Sequence, residues 1–180
     1  MPIPLSPTAE RLFLLTLAGI QFSHILDFMI MMPLGPILMQ ALEIGAPEFG
    51  LLVASYSFSA AISGLLAATF IDRFERKRLL LWCFAFFALS TLACALANGH
   101  STLLVARGLA GIFGGIMGAL VQTMIGDAIL FIRRARASGI VSTAFSISTV
   151  AGVPVSLWLA NQFNWRAPFF FIALMSLVFI

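Results

Sequence analysis

The sequence predicts an all-α membrane protein built as a six-helix transmembrane bundle, and three observations carry that prediction. Hydrophobic residues make up 61% of the 180 residues and only 9% are charged, with a mean hydropathy of +1.07. That leaves too little polar surface to clothe a water-soluble domain of this length. Apolar stretches of about 20 residues recur, each long enough to cross roughly 30 Å of hydrocarbon as a helix. The charge that remains lies between those stretches: of ten basic and seven acidic side chains, six fall within the seven positions from Asp72 to Arg78.

The same composition excludes several functions. A net charge of +3 does not point to nucleic acid, because the basic residues cluster beside span ends and form no extended patch with interleaved aromatics. Cys83 and Cys94 would lie about 16 Å apart on one helix, too far to bridge, and read as small apolar packing residues. No cleavable signal peptide is expected, since the first apolar run is long, carries an Asp and lacks a small-x-small exit. No metal spacing, phosphate-cradling loop or Ser-His-Asp arrangement stands out. No metal or cofactor is therefore expected, and the chain does not read as an enzyme.

Taken in order, Ser6 is placed to cap a helix with Pro7 at its first position and Glu10 in its first turn. That helix continues as a span over 12–34, where Pro33, Gly35 and Pro36 end or bend it, and a loop over 40–47 follows. The second span, 49–71, is rich in Ala, Ser and Gly. Small side chains let helix backbones approach in lipid, so this span is expected to pack on several sides. The third, 79–97, is bulky with Leu and Phe and is expected to face lipid.

A turn over 98–101 opens the fourth span, 102–125, in which Gly111/Gly115 and Gly114/Gly118 form two overlapping GxxxG pairs. Asp127, Arg133, Arg134 and Arg136 mark a second charged loop. The fifth span, 138–159, carries many hydroxyls and is expected to lose helical regularity at Gly152 and Pro154. A sixth apolar run over 168–180 amounts to about 20 Å of helix, too short to cross. The expectation is a truncated sixth helix in a fragment of a longer natural sequence.

Orientation follows from basic residues beside the spans. Eight lie on the side of the N-terminus (Arg11, Arg73, Arg76, Lys77, Arg78, Arg133, Arg134 and Arg136), and the other side has only Arg166. The N-terminus is expected to be cytoplasmic and the protein to be multi-pass in a cell membrane, the bacterial inner membrane by preference.

Asp27 is the first candidate for chemistry. An ionisable group inside a span costs about 2.5–3.5 kcal/mol on insertion scales and is seldom kept without a partner or a wet cavity. Gln21 and His24 precede it at three-residue steps, which sets all three on one broad helix face. Arg107 sits about five residues inside the fourth span, and the expected depths of the two charges differ by about 5 Å, so they can pair. Paired, the carboxylate would hold its proton according to whether Arg107 is near, the behaviour of a coupled proton site. The alternatives are that Asp27 is solvated near the outer surface and that Arg107 snorkels to it. Tyr56 and the fifth-span hydroxyls are candidates for a polar ligand, although Ser and Thr also satisfy helix carbonyls.

With spans and charges placed, the whole chain resembles the N-terminal six-helix half of a major facilitator superfamily transporter of the drug:H+ antiporter type. The segment Asp72-Arg73-Phe74-Glu75-Arg76-Lys77 is similar to the family's loop Gly-x-x-x-Asp-Arg-x-Gly-Arg-Arg/Lys, with Ala68 and Glu75 standing at its glycines. Asp27 followed by Pro36 matches a first-helix pattern. Leu103, Arg107 and Gly111 match a fourth-helix pattern that here lacks its Gln, and Ser148, Gly152 and Pro154 follow the fifth-helix antiporter pattern loosely.

The resemblance implies a proton-coupled exporter of small organic compounds working by alternating access. Asp27, Arg107, His24, Gln21 and Tyr56 would lie on the proton or substrate path. Asp72, Arg73, Arg76, Lys77 and Asp127 would form a conformational latch, and Gly111, Gly115, Gly152 and Pro154 would serve helix packing and hinging. The implied partners are the lipid bilayer, a small-molecule substrate, protons, and either the C-terminal half absent from this chain or a second copy that sets Asp72 near Ser138 and Gly139. The competing reading is a non-transporting six-span bundle acting as a structural or interaction subunit, alone or as a homodimer.

Overall fold

The computed structural model describes residues 7–178 and is all helical within them. Ser6, the expected cap, and the last two residues of the sixth run lie outside that range. The helices are α1 (Pro7–Met29), α2 (Met31–Leu42), α3 (Ala46–Phe70), α4 (Arg76–Ala95), α5 (His100–Ala128), α6 (Phe131–Ile147), α7 (Val153–Gln162) and α8 (Ala167–Leu177). Five segments are long and apolar enough to cross a membrane, and α8 is a shorter apolar helix. With α2 prolonging α1 and α7 prolonging α6, the described residues form five long helical segments followed by the short α8.

Prolines shape the two compound spans. Pro33 has no N–H for the carbonyl of Met29 and its ring crowds that oxygen, so α1 ends at Met29, upstream of the proline. The bonds from Ile30 N–H to Leu26 O (3.0 Å) and from Leu34 N–H to Ile30 O (3.1 Å) carry the chain across into α2. Helix then persists to Leu42, so the loop expected over 40–47 shrinks to Glu43–Gly45, with Glu43 in the left-handed region at φ 53°. In the fifth span the expected loss of α-helical regularity takes the form of a π turn over Ser148–Gly152, just upstream of Pro154. A π turn gives the carbonyl facing Pro154 room that a regular α-turn would not.

The second charged loop is also shorter than expected. Helix α5 runs on through Asp127 to Ala128 and α6 starts at Phe131, so Arg133, Arg134 and Arg136 occupy the first turns of α6. Arg134 Nε donates to the carbonyl of Ile129 at 3.0 Å, satisfying an acceptor just past the end of α5.

Packing overturns two expectations about burial. Helix α5 packs against α3 on one side and α4 on another, α1 packs against α6, and α4 reaches α8. Half of the most apolar stretch of α4 is buried, against 22% in the α3 segment. Thus α4 is a core helix, not a lipid-facing one: Phe84 and Phe87 fill space between its neighbours. Conversely, α3 uses its small residues on a single seam with α5, and its other face exposes Phe58, Ile62 and Leu65.

Two apolar clusters form the core. One gathers Leu14, Ile71, Leu80, Ile129 and Ala137 toward the arginine-rich end. The other gathers Leu34, Leu52, Leu103, Trp165 and Phe169 toward the opposite end. At that opposite end, Arg166 Nη2 donates to the carbonyl of Ala97 at 2.7 Å, tying the start of α8 to the end of α4.

Candidate functional site

The site starts from the α3–α5 seam, because glycine lets these helices touch. A Cβ at Gly111 would collide with the backbone of Tyr56, and one at Gly115 with the carbonyl of Ala60. Gly118, the outer member of the second GxxxG pair, faces open space and Gly114 meets the Tyr56 hydroxyl, so of the two pairs it is Gly111/Gly115 that touches the α3 backbone. Gly152 does comparable work on the other side: a Cβ there would lie 2.7 Å from Leu26 on α1.

This close approach brings Arg107 of α5 to Asp27 of α1. Arg107 Nη1 lies 2.6 Å from Asp27 Oδ2 and donates also to the Asp27 carbonyl at 3.1 Å, with both side chains fully buried. Neither surface alternative survives, since neither residue is solvated nor extended to the membrane boundary. The pair lies at the waist of the bundle, between Ile20 and Ala110 of one apolar cluster and Leu26, Ile30 and Leu103 of the other. Charges in such surroundings attract strongly yet carry a large desolvation cost, so removing one partner is far more damaging than removing both.

The pair is incompletely satisfied by protein. Among the described residues Asp27 Oδ1 and Arg107 Nε and Nη2 have no hydrogen-bond partner. Tyr56 covers it from α3, its ring centroid 4.5 Å from the guanidinium carbon, a cation–π contact. Thr91 and Cys94 of α4, both fully buried, complete the surroundings, and Thr91 Oγ1 too has no hydrogen-bond partner among the described residues. The sequence offered no signal for these two: Cys94 reads as a packing residue and nothing marks Thr91. They were found only because α4 is a core helix.

Tyr56 also faces away from the pair. It lines a cavity of about 520 Å³ with His24, Phe28, Ser57, Gly114 and Phe145, drawn from α1, α3, α5 and α6. Its hydroxyl donates to the backbone carbonyl of His24 at 3.3 Å, and its ring lies 5.5 Å from that of Phe28. His24 Nε2 and Gln21 Oε1 are buried without a hydrogen-bond partner among the described residues. Neither bonds Asp27, and of the three only His24 lines the cavity, so the shared helix face forms no hydrogen-bonded relay among the described residues. The fifth-span hydroxyls mostly serve backbone: Thr143 donates to Ile140 O, Thr149 to Phe145 O, and Ser148 across to Phe22 O on α1.

At the arginine-rich end, a second constellation assembles around Arg76. Its Nη2 donates to Asp72 Oδ1 at 2.6 Å, its Nε to Asp127 Oδ2 at 2.9 Å, and its Nη1 to the carbonyl of Ile71 at 2.7 Å. One guanidinium thus joins the 3-10 turn Ile71–Arg73, the start of α4 and the end of α5. Among the described residues Arg73 and Lys77 make no ion pair, while Glu75 pairs with Arg78 at 2.8 Å. Nearby, Glu10 of α1 binds Arg133 of α6 at 2.8 Å, a contact unforeseen in the sequence.

A buried ion pair beside a cavity, in a bundle of membrane-spanning helices, is the kind of site that secondary transporters carry. The sequence profile of the Major Facilitator Superfamily matches residues 17–180, and the chain belongs to that family. It is a multi-pass membrane protein.

Relatives agree. The chain is 28% identical over 169 residues to Multidrug resistance protein 2 of Bacillus subtilis (strain 168), covering 94% of this chain and 42% of that protein. It is 30% identical over 150 residues to Multidrug resistance protein Stp of Mycobacterium tuberculosis, covering 83% of this chain and 28% of that protein. Among solved structures, it superimposes on a bacterial homolog of the human lysosomal transporter Spinster, in an inward-facing and occupied conformation. That match has a TM-score of 0.81 at 19% identity over 97% of this chain and 44% of the other. The chain spans under half the length of the curated relatives it matches.

Proposed function

We propose that this chain is the N-terminal six-helix half of a proton-coupled secondary transporter that exports small organic compounds by alternating access. The observation that carries the proposal is the fully buried Asp27–Arg107 pair, separated from a 520 Å³ cavity by one side chain, Tyr56. A carboxylate whose charge is balanced by one movable arginine has two stable arrangements: ionised and paired, or protonated and released. Proton binding at Asp27 would loosen α1 from α5, and substrate in the cavity would bias the same contact through Tyr56. Coupling between sites is of this kind, two ligands acting on one two-state element.

In this reading Asp72, Arg76 and Asp127 hold one state of the cycle closed at the arginine-rich face, with Arg73 and Lys77 contributing charge there, and that face is cytoplasmic. A second six-helix unit completes the transport path against the exposed face of α3. The multidrug relatives and the apolar, aromatic lining of the cavity favour amphipathic substrates. No catalytic step is part of the cycle.

The test is transport by the full-length protein. Asp27→Asn, which keeps the shape of the side chain and removes its charge, is expected to abolish proton-driven efflux of amphipathic dyes while preserving membrane insertion and dye binding. Intact proton-driven efflux in Asp27→Asn would remove Asp27 from the coupling role.

A further inference from the structure

We propose that the seam between α1 and α6 at the arginine-rich end binds an anionic phospholipid, its phosphate in a basic cleft and an acyl chain in the apolar groove that continues from it. The cleft, about 200 Å³, opens between the start of α1 and the first turns of α6 and is lined by Glu10, Arg11, Arg133 and Arg136. The groove, about 530 Å³, follows the same two helices from Leu15 to Phe22 and reaches Met175 of α8 and Val178 just past its end. Ile140 lines both, and Leu14 in the cleft adjoins Leu15 in the groove, so the two make one continuous surface.

Charge selects the head of the ligand. Three arginines less one glutamate leave the cleft at +2. Glu10 is engaged by Arg133. Arg11 and Arg136 are exposed and, among the described residues, make no ion pair, so their donors are free for phosphate oxygens. A zwitterionic lipid would bring its ammonium into a positive cleft, whereas an anionic one meets net attraction.

The groove selects the tail. Its one hydroxyl, on Thr143, already donates to the carbonyl of Ile140 at 2.6 Å, so nothing in the wall serves a polar occupant. From Leu15 to Phe22 it extends about 10 Å at 1.5 Å per residue, enough for the upper part of an acyl chain. Leu14 and Ala137 pack in the same cluster as Ile71 and Ile129, which flank Asp72 and Asp127, so the cleft opens at the same membrane surface as the charged loop. Charge at that level with an apolar track running inward matches the layout of a phospholipid. The site is separate from Asp27 and Arg107, and its failure would leave the transport proposal standing.

Native mass spectrometry of the full-length protein in mild detergent, titrated with phosphatidylglycerol or phosphatidylethanolamine, reads the site. The wild type is expected to retain phosphatidylglycerol in preference, and Arg11→Gln/Arg136→Gln to lose about tenfold of that preference. Thr143→Trp, which fills the groove and spares the arginines, is expected to weaken retention of both lipids. Arg78→Gln, in the charged loop but outside the cleft, is expected to behave as wild type. The double variant removes only exposed side chains, so an unchanged melting temperature should accompany it. Equal retention of phosphatidylglycerol by wild type and double variant, no preference between the two lipids, or unaltered retention in Thr143→Trp would overturn the proposal.

Discussion

Arg107 spans the gap between α5 and α1 with a single nitrogen, Nη1, which donates both to Asp27 Oδ2 and to the Asp27 carbonyl. The arginine therefore grips the backbone of α1 as well as its charge. Neutralising Asp27 leaves the carbonyl contact available, so loss of the charge can weaken the helix contact without severing it.

Removing one partner of the buried pair should cost more stability than removing both. Arg107→Met leaves a carboxylate buried without its counter-charge and is expected to cost about 3–5 kcal/mol. The double variant Asp27→Leu/Arg107→Met is expected to recover most of that loss, because no unpaired charge remains. Thermal unfolding in detergent of wild type, both single variants and the double variant measures the difference.

Asp27 and Arg107 were legible in the sequence because charge is rare here, and an Asp or Arg inside an apolar run has few affordable surroundings. Gly111 and Gly115 were legible for a similar reason: a four-residue glycine spacing has a direct steric meaning. Burial was harder to read. The small residues of α3 state that a neighbour can come close but not on how many sides, and the bulky residues of α4 suit lipid and core equally. Thr91 and Cys94 went unnoticed beside the ion pair for that reason. The Glu10–Arg133 bridge depends on α1 lying against α6, which no local pattern encodes.

The α3–α5 seam should tolerate change at one glycine and not at its neighbours. Gly115→Leu drives a side chain into the Ala60 backbone and is expected to destabilise the bundle by about 1–3 kcal/mol or more. Gly118→Ala meets open space and is expected to be close to neutral. Melting curves of the two purified variants compare them directly.

Tyr56 offers a separation of roles. Tyr56→Phe removes a long hydrogen bond to the His24 carbonyl and keeps the ring over Arg107, so efflux is expected to stay near wild type. Tyr56→Ala removes the partition between cavity and ion pair and is expected to uncouple dye efflux from the proton gradient. Dye efflux from energised vesicles distinguishes them.

The contacts of Arg76 are exposed enough for salt to screen them, with the Asp72 and Asp127 side chains 81% and 56% exposed. Arg76→Gln is therefore expected to change melting temperature little while raising thiol-reagent access to a cysteine placed at the buried Ile71. The excess over a protein with Arg76 intact should shrink as ionic strength rises. Access equal in both proteins at low salt would remove the latch role.

Coupling at Asp27 is tested most directly by proton release. In weakly buffered detergent solution, an amphipathic dye added to the full-length protein is expected to displace protons from the wild type and none from Asp27→Asn, at matched dye occupancy. Equal proton release from both proteins would contradict the assignment of Asp27 as the coupling acid.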